Sequence, residues 1–335
     1  VYLPISFEQQ GNFVTHRPSL VSVFAPATVA NVGSAFDVLG FALDSPGDTV
    51  VARRSSTPGI RITSISGDNG RLPLATDQNT AGVSVLALVS DYRTRHPNEA
   101  NELGIELSLT KGLPIGSGLG SSSASTVAAV VAANELLSVP YNRSELLPFA
   151  MEGERIACGA AHADNVAPSL LGGFVLIRSY DPLDVIALPS PQNAWIAVVS
   201  PELELKTVDA RRVLKRSVPL ERAVAQWGNV AALVAGIYQN NIELIGRSLE
   251  DTIIEPERAQ LIPGYHQAKS AALTSGALGC SISGSGPSVF AICRSNRDAT
   301  VVAGAMTDAF RAAGLGAQHT VSQVNTVGAT IISKE

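Results

Sequence analysis

The chain has 335 residues, enough for two domains or one large one; 45% of them are hydrophobic and only 16% charged, which excludes a disordered protein. A net charge of -5 argues against a nucleic-acid-binding surface, and the densest basic cluster, Arg211-Arg212 with Lys215-Arg216, reads as a solvated helix face. No apolar run reaches the length of a membrane span, and residues 1–20 lack the basic start and apolar core of a signal peptide. A cytoplasmic protein with an uninformative leader is therefore expected. Cys158, Cys280 and Cys293 are odd in number and show no CxxC spacing, which points to reduced thiols, not disulfides or zinc.

In chain order, Val21–Ala25 reads as a strand that Pro26 stops. The stretch Ala27–Gly40 mixes small residues with Asn31 and Asp37, which either bond the backbone of a turn or meet a ligand. Asp48–Arg54 and Gly59–Ile65 are predicted to pair as strands. Leu74–Asn79 is a polar loop, and Asn79 or Thr80 starts a helix carrying Val83, Leu86, Ala87, Val89 and Tyr92. Ile105–Leu109 alternates as a strand. A helix over Ser144–Cys158 carries Glu152, Glu154 and Arg155, and the polar trio His162, Asp164 and Asn165 follows among alanines. Gly172–Ile177 resumes as a strand, and Pro189-Ser190-Pro191 marks a boundary. Beyond it come a strand at Trp195–Val199 and helices at Thr207–Lys215, Leu220–Gln239, Ile242–Leu249 and Pro256–Thr274. Cys280–Ser283 and Val289–Ile292 are strands flanking a second glycine loop, Gly284–Ser288, read as a hairpin turn or a ligand contact. A helix at Ala299–Ala313 and a strand near His319–Val324 close the chain. Strands and helices mix without strict βαβ alternation, which favours an α+β fold.

The most informative stretch is Pro114-Ile115-Gly116-Ser117-Gly118-Leu119-Gly120-Ser121-Ser122-Ser123. Three alternating glycines run into an apolar helical pattern from Val127 to Leu137. Glycines let backbone N–H groups approach a ligand, and the first turn of a helix has unpaired N–H groups and partial positive charge. Together they make an anion site, for which phosphate is the usual occupant. Other phosphate loops do not fit. Gly120 is followed by Ser121 where a P-loop needs lysine, the nearest lysine being Lys111 upstream, and a Rossmann turn needs glycine where Ser121 stands.

Three segments stand in order: Pro26–Asp37, Pro114–Ser125 and Ser283–Ser288. This arrangement resembles the GHMP kinases, small-molecule phosphotransferases. Residues 21 to the C-terminus are most similar to the branch that phosphorylates L-homoserine. The local matches are Ala30-Asn31-Val32-Gly33 with Phe36-Asp37, His162-Ala163-Asp164-Asn165-Val166-Ala167-Pro168, and Ile254-Glu255-Pro256-Glu257-Arg258 with Leu261-Ile262-Pro263. Where the family usually has Pro-Gly, this chain has Ser34-Ala35.

The resemblance implies a two-domain α+β fold. Residues 21–190 would form an ATP-binding domain of the ribosomal protein S5 domain 2-like type, and residues 191–335 a ferredoxin-like domain. The implied reaction is MgATP plus L-homoserine giving ADP and O-phospho-L-homoserine, a step towards threonine, and a homodimer is compatible with the family. The loop from Pro114 to Ser123 would hold ATP, with Asn79 a further nucleotide candidate near adenine or ribose. Mg²⁺ falls to Ser122 and Glu154, and Glu152 reads as a solvated neighbour. Asp37 and Asn31 fit the substrate ammonium, Arg211 and Arg258 its carboxylate, and Asn165 its hydroxyl. Asp37 and Asn165 are thus the candidates beside the reacting groups; Asp37 could also act as a base, and His162 reads as structural. Two rivals stay open: another GHMP kinase, and an inactive ligand-binding relative.

Overall fold

In the computed structural model, residues 17–97, 103–159 and 162–335 are described; most of the expected leader, and the side chain of Cys158, lie outside them. Small and β-branched residues place Leu20–Ala30 in strand β1, which continues through Pro26 instead of stopping there. The register against β2 (Leu39–Ser55) shifts between Pro26 and Thr28, and that irregularity accommodates a residue with no N–H to donate. The strand Gly59–Ser66 (β3) does not pair with β2 as expected. After helix α1 (Thr80–Arg95) the chain returns as β4 (Gly104–Thr110), which lies between them, antiparallel to β2 and parallel to β3. A helical crossover is what a parallel pair requires.

Helix α2 (Ser121–Asn134) follows the glycine loop and buries twelve of its residues, from Ser123 to Asn134. The expected helix near residue 150 forms as α3 (Leu147–Cys158) after a single 3-10 turn. The His-Ala-Asp-Asn segment leads into an unexpected helix, α4 (Ala163–Leu171), with Pro168 inside it. Strands β5 (Phe174–Tyr180) and β6 (Leu183–Leu188) complete this half; β5 adds to β2.

The second sheet begins with β7 (Trp195–Pro201), followed by helices α5 (Thr207–Arg212), α6 (Leu220–Tyr238) and α7 (Ile242–Arg247). The helix expected over Pro256–Thr274 is split into α8 (Glu255–Arg258) and α9 (Tyr265–Thr274), because Pro263-Gly264 interrupts it, with Gly264 at φ +84°. Strands β8 (Gly279–Ile282) and β9 (Val289–Cys293) form the expected hairpin, and α10 (Asn296–Ala312) and β10 (Ala317–Gln323) follow. The order in this sheet is β10-β7-β9-β8, all antiparallel. Tyr265, Met306 and Phe310 from its helices fill one buried cluster against it.

The last strand, β11 (Thr330–Lys334), was not expected, and it pairs with β1 at the edge of the first sheet. A division after residue 190 therefore separates the sheets but not the final segment, which crosses back. Phe41 packs on Phe174 at 4.7 Å between ring centroids and on Phe290 of the second sheet at 5.9 Å. Each such fully buried ring contributes about 1.5–3 kcal/mol, so this aromatic junction helps hold the layers together. Among the described residues no helix is long and apolar enough to cross a membrane.

Candidate active site

The glycine loop sits where the two sheets meet, and four of its consecutive carbonyls point outward into the scaffold. Gly116 O accepts from Leu205 N at 3.4 Å, Ser117 O from Ser288 N at 3.0 Å and Leu119 O from Thr28 N at 3.1 Å. Gly118 O accepts from the Ser283 hydroxyl at 2.8 Å. Tying down the carbonyls leaves the amide side of the loop for a ligand, as in an anion nest. Gly116, Gly118 and Gly120 have φ of +71°, +81° and +67°, which favours glycine at each. Gly120 is the N-cap of α2, whose first main-chain bond runs from Ala124 N to Gly120 O at 2.8 Å. The N–H groups of Ser121, Ser122 and Ser123 thus have no partner within the helix.

The stem of the loop is clamped by a group the sequence reading passed over. Lys111 is buried and its ammonium donates to Asp48, to Ser121 O at 2.7 Å and to the Ser125 hydroxyl at 2.8 Å. Asp48 accepts in turn from Gly112 N and Leu113 N at 3.0 and 3.2 Å and from Ser125 at 2.7 Å. Three acceptors saturate the three donors of the ammonium. Lys111 therefore fixes the loop entry to the helix start and does not reach forward like a P-loop lysine.

The turn after β1 supplies the other end of the site. Asn31, Val32, Gly33 and Asp37 all have positive φ, and a Cβ on Gly33 would collide with the Leu249 carbonyl. Asn31 uses its amide structurally: Nδ2 donates to Gly284 O at 2.7 Å and Oδ1 accepts from Asp37 N at 2.9 Å. These bonds shape the turn, and Asn31 also lines the cavity described below. Ser34-Ala35 is held by two devices, Ser34 Oγ donating to Ser248 O at 3.0 Å and Gln226 donating to Ser34 O at 2.7 Å. Tyr180 donates to Asp37 O at 2.9 Å, so the backbone of Asp37 is fixed on both sides.

Asp37 and Arg211 meet in a two-pronged ion pair, Nη2 to Oδ1 at 2.7 Å and Nη1 to Oδ2 at 3.1 Å. Arg258 is buried, donating to Gly284 O at 2.8 Å and Ala210 O at 3.3 Å. Both guanidinium groups lie over the Phe36 ring, at 5.4 and 5.1 Å. Burial, helped by the neighbouring Arg211, lowers the Arg258 pKa to about 10. His162 Nδ1 lies 3.5 Å from Arg211 Nη2, and burial together with that charge lowers its pKa. His162 also lines the site cavity, and its buried Nε2 has no hydrogen-bond partner among the described residues. Asn165 Oδ1 accepts from the Thr28 hydroxyl at 2.7 Å, which leaves its NH₂ to offer a ligand oxygen.

The glycine loop, Asn31, Asp37, His162, Asn165, Arg211 and Arg258 line one cavity of about 470 Å³. Glu154 and Ser122 also line it, and Glu154 is buried. The buried Glu154 carboxylate, the Ser122 hydroxyl and the buried Ser123 Oγ, which has no hydrogen-bond partner among the described residues, offer this cavity hard oxygens of the kind Mg²⁺ takes. The residues present therefore fit this ion. Glu152 is exposed and pairs with Arg155, as expected of a solvated neighbour. Asn79 lines the cavity too, but its amide caps α1, accepting from Ala81 N at 3.0 Å and donating to Pro73 O at 2.9 Å. Capping accounts for its presence there.

Asp164, which sequence reasoning noticed but did not assign, is buried in the same wall. Burial pushes its pKa up to about 7; the charges of Asp37 and Glu154 add to this and Arg211 opposes it. The folded state thus retains a proton that the unfolded chain releases near pH 3.9. Stability from this group is present below the unfolded pKa and falls as pH rises towards about 7. Asp164→Asn is accordingly expected to raise the melting temperature above that of the native protein at about pH 8, with the gain gone near pH 4, in ligand-free thermal denaturation.

A helix-capped glycine loop facing a charged pocket across the seam of two sheets is the frame of a GHMP kinase. The family model for the GHMP kinases N terminal domain matches residues 84–173 and that for the C terminal domain residues 232–312. The homoserine kinase of Chlorobaculum tepidum is 52% identical over 320 residues, covering 93% of this chain and 98% of that protein. That of Xylella fastidiosa is 43% identical over 310 residues, covering 92% and 93%. The chain belongs to the homoserine kinase family. The crystal structure of homoserine kinase from Cytophaga hutchinsonii superposes with a TM-score of 0.89 at 52% identity, over 98% of this chain and 100% of that one. L. major mevalonate kinase shares the fold at a TM-score of 0.68 and 16% identity, over 90% and 95%.

Proposed function

We propose that the protein transfers the γ-phosphoryl group of MgATP to the hydroxyl of L-homoserine, giving ADP and O-phospho-L-homoserine on the route to threonine. The observation that carries this reading is the single cavity joining the phosphate loop to Asp37, Arg211 and Arg258. Loop amides and the α2 N-terminus bind the phosphates. Ser122 and Glu154 would hold Mg²⁺, which supplies charge neutralisation on the phosphoryl oxygens when bound. Asp37 takes the substrate ammonium, and Arg211, with the rigid Arg258 behind it, takes the carboxylate. Asn165 donates to the hydroxyl oxygen and aims it at the loop. Phosphoryl transfer of this kind rests on positioning and electrostatics, so no side chain has to remove the hydroxyl proton early. Asn31, Lys111 and Asp48 act one step back, through the groups they hold.

Paired positive and negative groups favour an amino acid over mevalonate, which lacks an ammonium, and over sugars, which lack both charges. ADP release with MgATP is to be measured across L-homoserine, D-homoserine, L-threonine, mevalonate and galactose. Strong selectivity for L-homoserine, with O-phosphohomoserine as product, is the expected result. Turnover of another acceptor would overturn the substrate assignment, and nucleotide binding without turnover of any acceptor would indicate an inactive ligand-binding relative.

A further inference from the structure

In the ligand-free protein, the two residues assigned to the substrate's two charges, its ammonium and its carboxylate, are bonded to each other. Asp37 and Arg211 share both oxygens and both terminal nitrogens. The pair joins the turn after β1 to the short helix α5, two parts of the chain 174 residues apart. Its side chains retain 24% and 29% exposure, so solvent and ligand reach it. The backbone of Asp37 is pinned by Asn31 and Tyr180, and Arg258 is pinned by Gly284 O and Ala210 O. The Asp37–Arg211 bonds are therefore ones that can be exchanged without remodelling the turn.

We infer that the Asp37–Arg211 pair is an internal stand-in for the substrate zwitterion, and that homoserine binds by exchange. Its ammonium replaces Arg211 on Asp37, and its carboxylate replaces Asp37 on Arg211. This rests on the substrate reading above. Exchange leaves both Asp37 and Arg211 paired when the ligand carries both charges. A ligand with one charge must break the pair and leave the other partner uncompensated. Rejection of the wrong ligand then comes from the pair itself, a repulsive element as well as an attractive one.

The test is a crossing of ligands and variants. Asp37→Asn removes the anion while keeping a residue that tolerates the left-handed φ of +60° at this position. For this variant the KM for L-homoserine is expected to rise at least about tenfold, because the ammonium loses its charged partner. Competitive inhibition by γ-hydroxybutyrate, which is homoserine without its ammonium, is expected to strengthen by about tenfold, because Arg211 no longer has to be pulled from the Asp37 carboxylate. The mirror variant Arg211→Gln is expected to improve binding of the amino alcohol that lacks the carboxylate. A raised homoserine KM with unchanged or weakened γ-hydroxybutyrate binding would overturn the exchange while leaving the substrate site in place. An unchanged homoserine KM in both variants would remove Asp37 and Arg211 from the substrate site, and the exchange with it. Should Asp37→Asn fail to fold, Arg211→Gln with the amino alcohol decides the question.

Discussion

Glu154→Gln is expected to lower kcat by on the order of 100-fold or more and to move the Mg²⁺ requirement to higher concentration. The scale is that of removing one preorganised group that stabilises transition-state charge. The substitution keeps the volume and polarity of a buried side chain while removing its charge. Packing is thus preserved better than with alanine, and a kinetic effect stands apart from a folding defect. Steady-state rates across a magnesium titration, with the melting temperature as a control, make the check. Unchanged magnesium dependence would remove Glu154 as a ligand. The homoserine KM should move little, because the substrate charges are assigned to Arg211, Arg258 and Asp37 and not to Glu154.

Gly118→Ala is the second substitution with a large expected effect. A Cβ at this position would lie 2.6 Å from the carbonyl oxygens of both Ser283 and Gly286, and the residue has φ +81°. Neither oxygen belongs to a flexible side chain that could swing away. The hairpin loop must shift or the glycine loop must, and the loop is also tied there by the Ser283 hydroxyl. Strain from the positive φ and the overpacking together cost about 2–4 kcal/mol. The ATP KM is expected to rise at least about tenfold, since a displaced loop no longer aims its amides at the phosphates. Gly314→Ala provides the comparison: it has φ +85° with open space around its Cβ, so it carries the backbone strain alone. Equal nucleotide affinity in the two variants would show that the loop tolerates the collision. Fluorescent-nucleotide titration and thermal melting measure the two effects separately.

The parts of the site that were legible in the sequence are those whose chemistry is local. Alternating glycines before an apolar helix specify a phosphate loop because positive φ and free first-turn amides are properties of a short stretch. The Lys111–Asp48 clamp was invisible for the opposite reason: its members are 63 residues apart, and neither sits in a pattern. Pairing of β4 with both β2 and β3 was equally hidden, since adjacency in the sheet follows from the path of α1. Helix α4 was missed because His162, Asp164 and Asn165 break apolar periodicity at its start and Pro168 argues against a helix. Its first turn is polar because it faces the cavity. The short edge strand β11 has exposed side chains and little pattern, and it is defined by its partner β1. From sequence the loop Gly284–Ser288 reads as a turn or a ligand contact. It is a hairpin turn that props the phosphate loop through Ser283 and Ser288, and its Gly284 and Ser285 also line the cavity.

That propping has a mechanical side. The outward carbonyls of the loop are gripped by β1, by the segment after β7 and by the hairpin, so the nucleotide would sit on a rivet driven through both layers. Any opening of the seam between the sheets loosens the rivet, and any nucleotide that seats on it fastens the seam. The amides of Ser288 and Gly284, which donate to Ser117 O and Ala30 O, cross this joint. Their exchange with solvent deuterium is a built-in strain gauge for the molecule, reading out from the backbone how tightly the two halves are held at each stage of turnover.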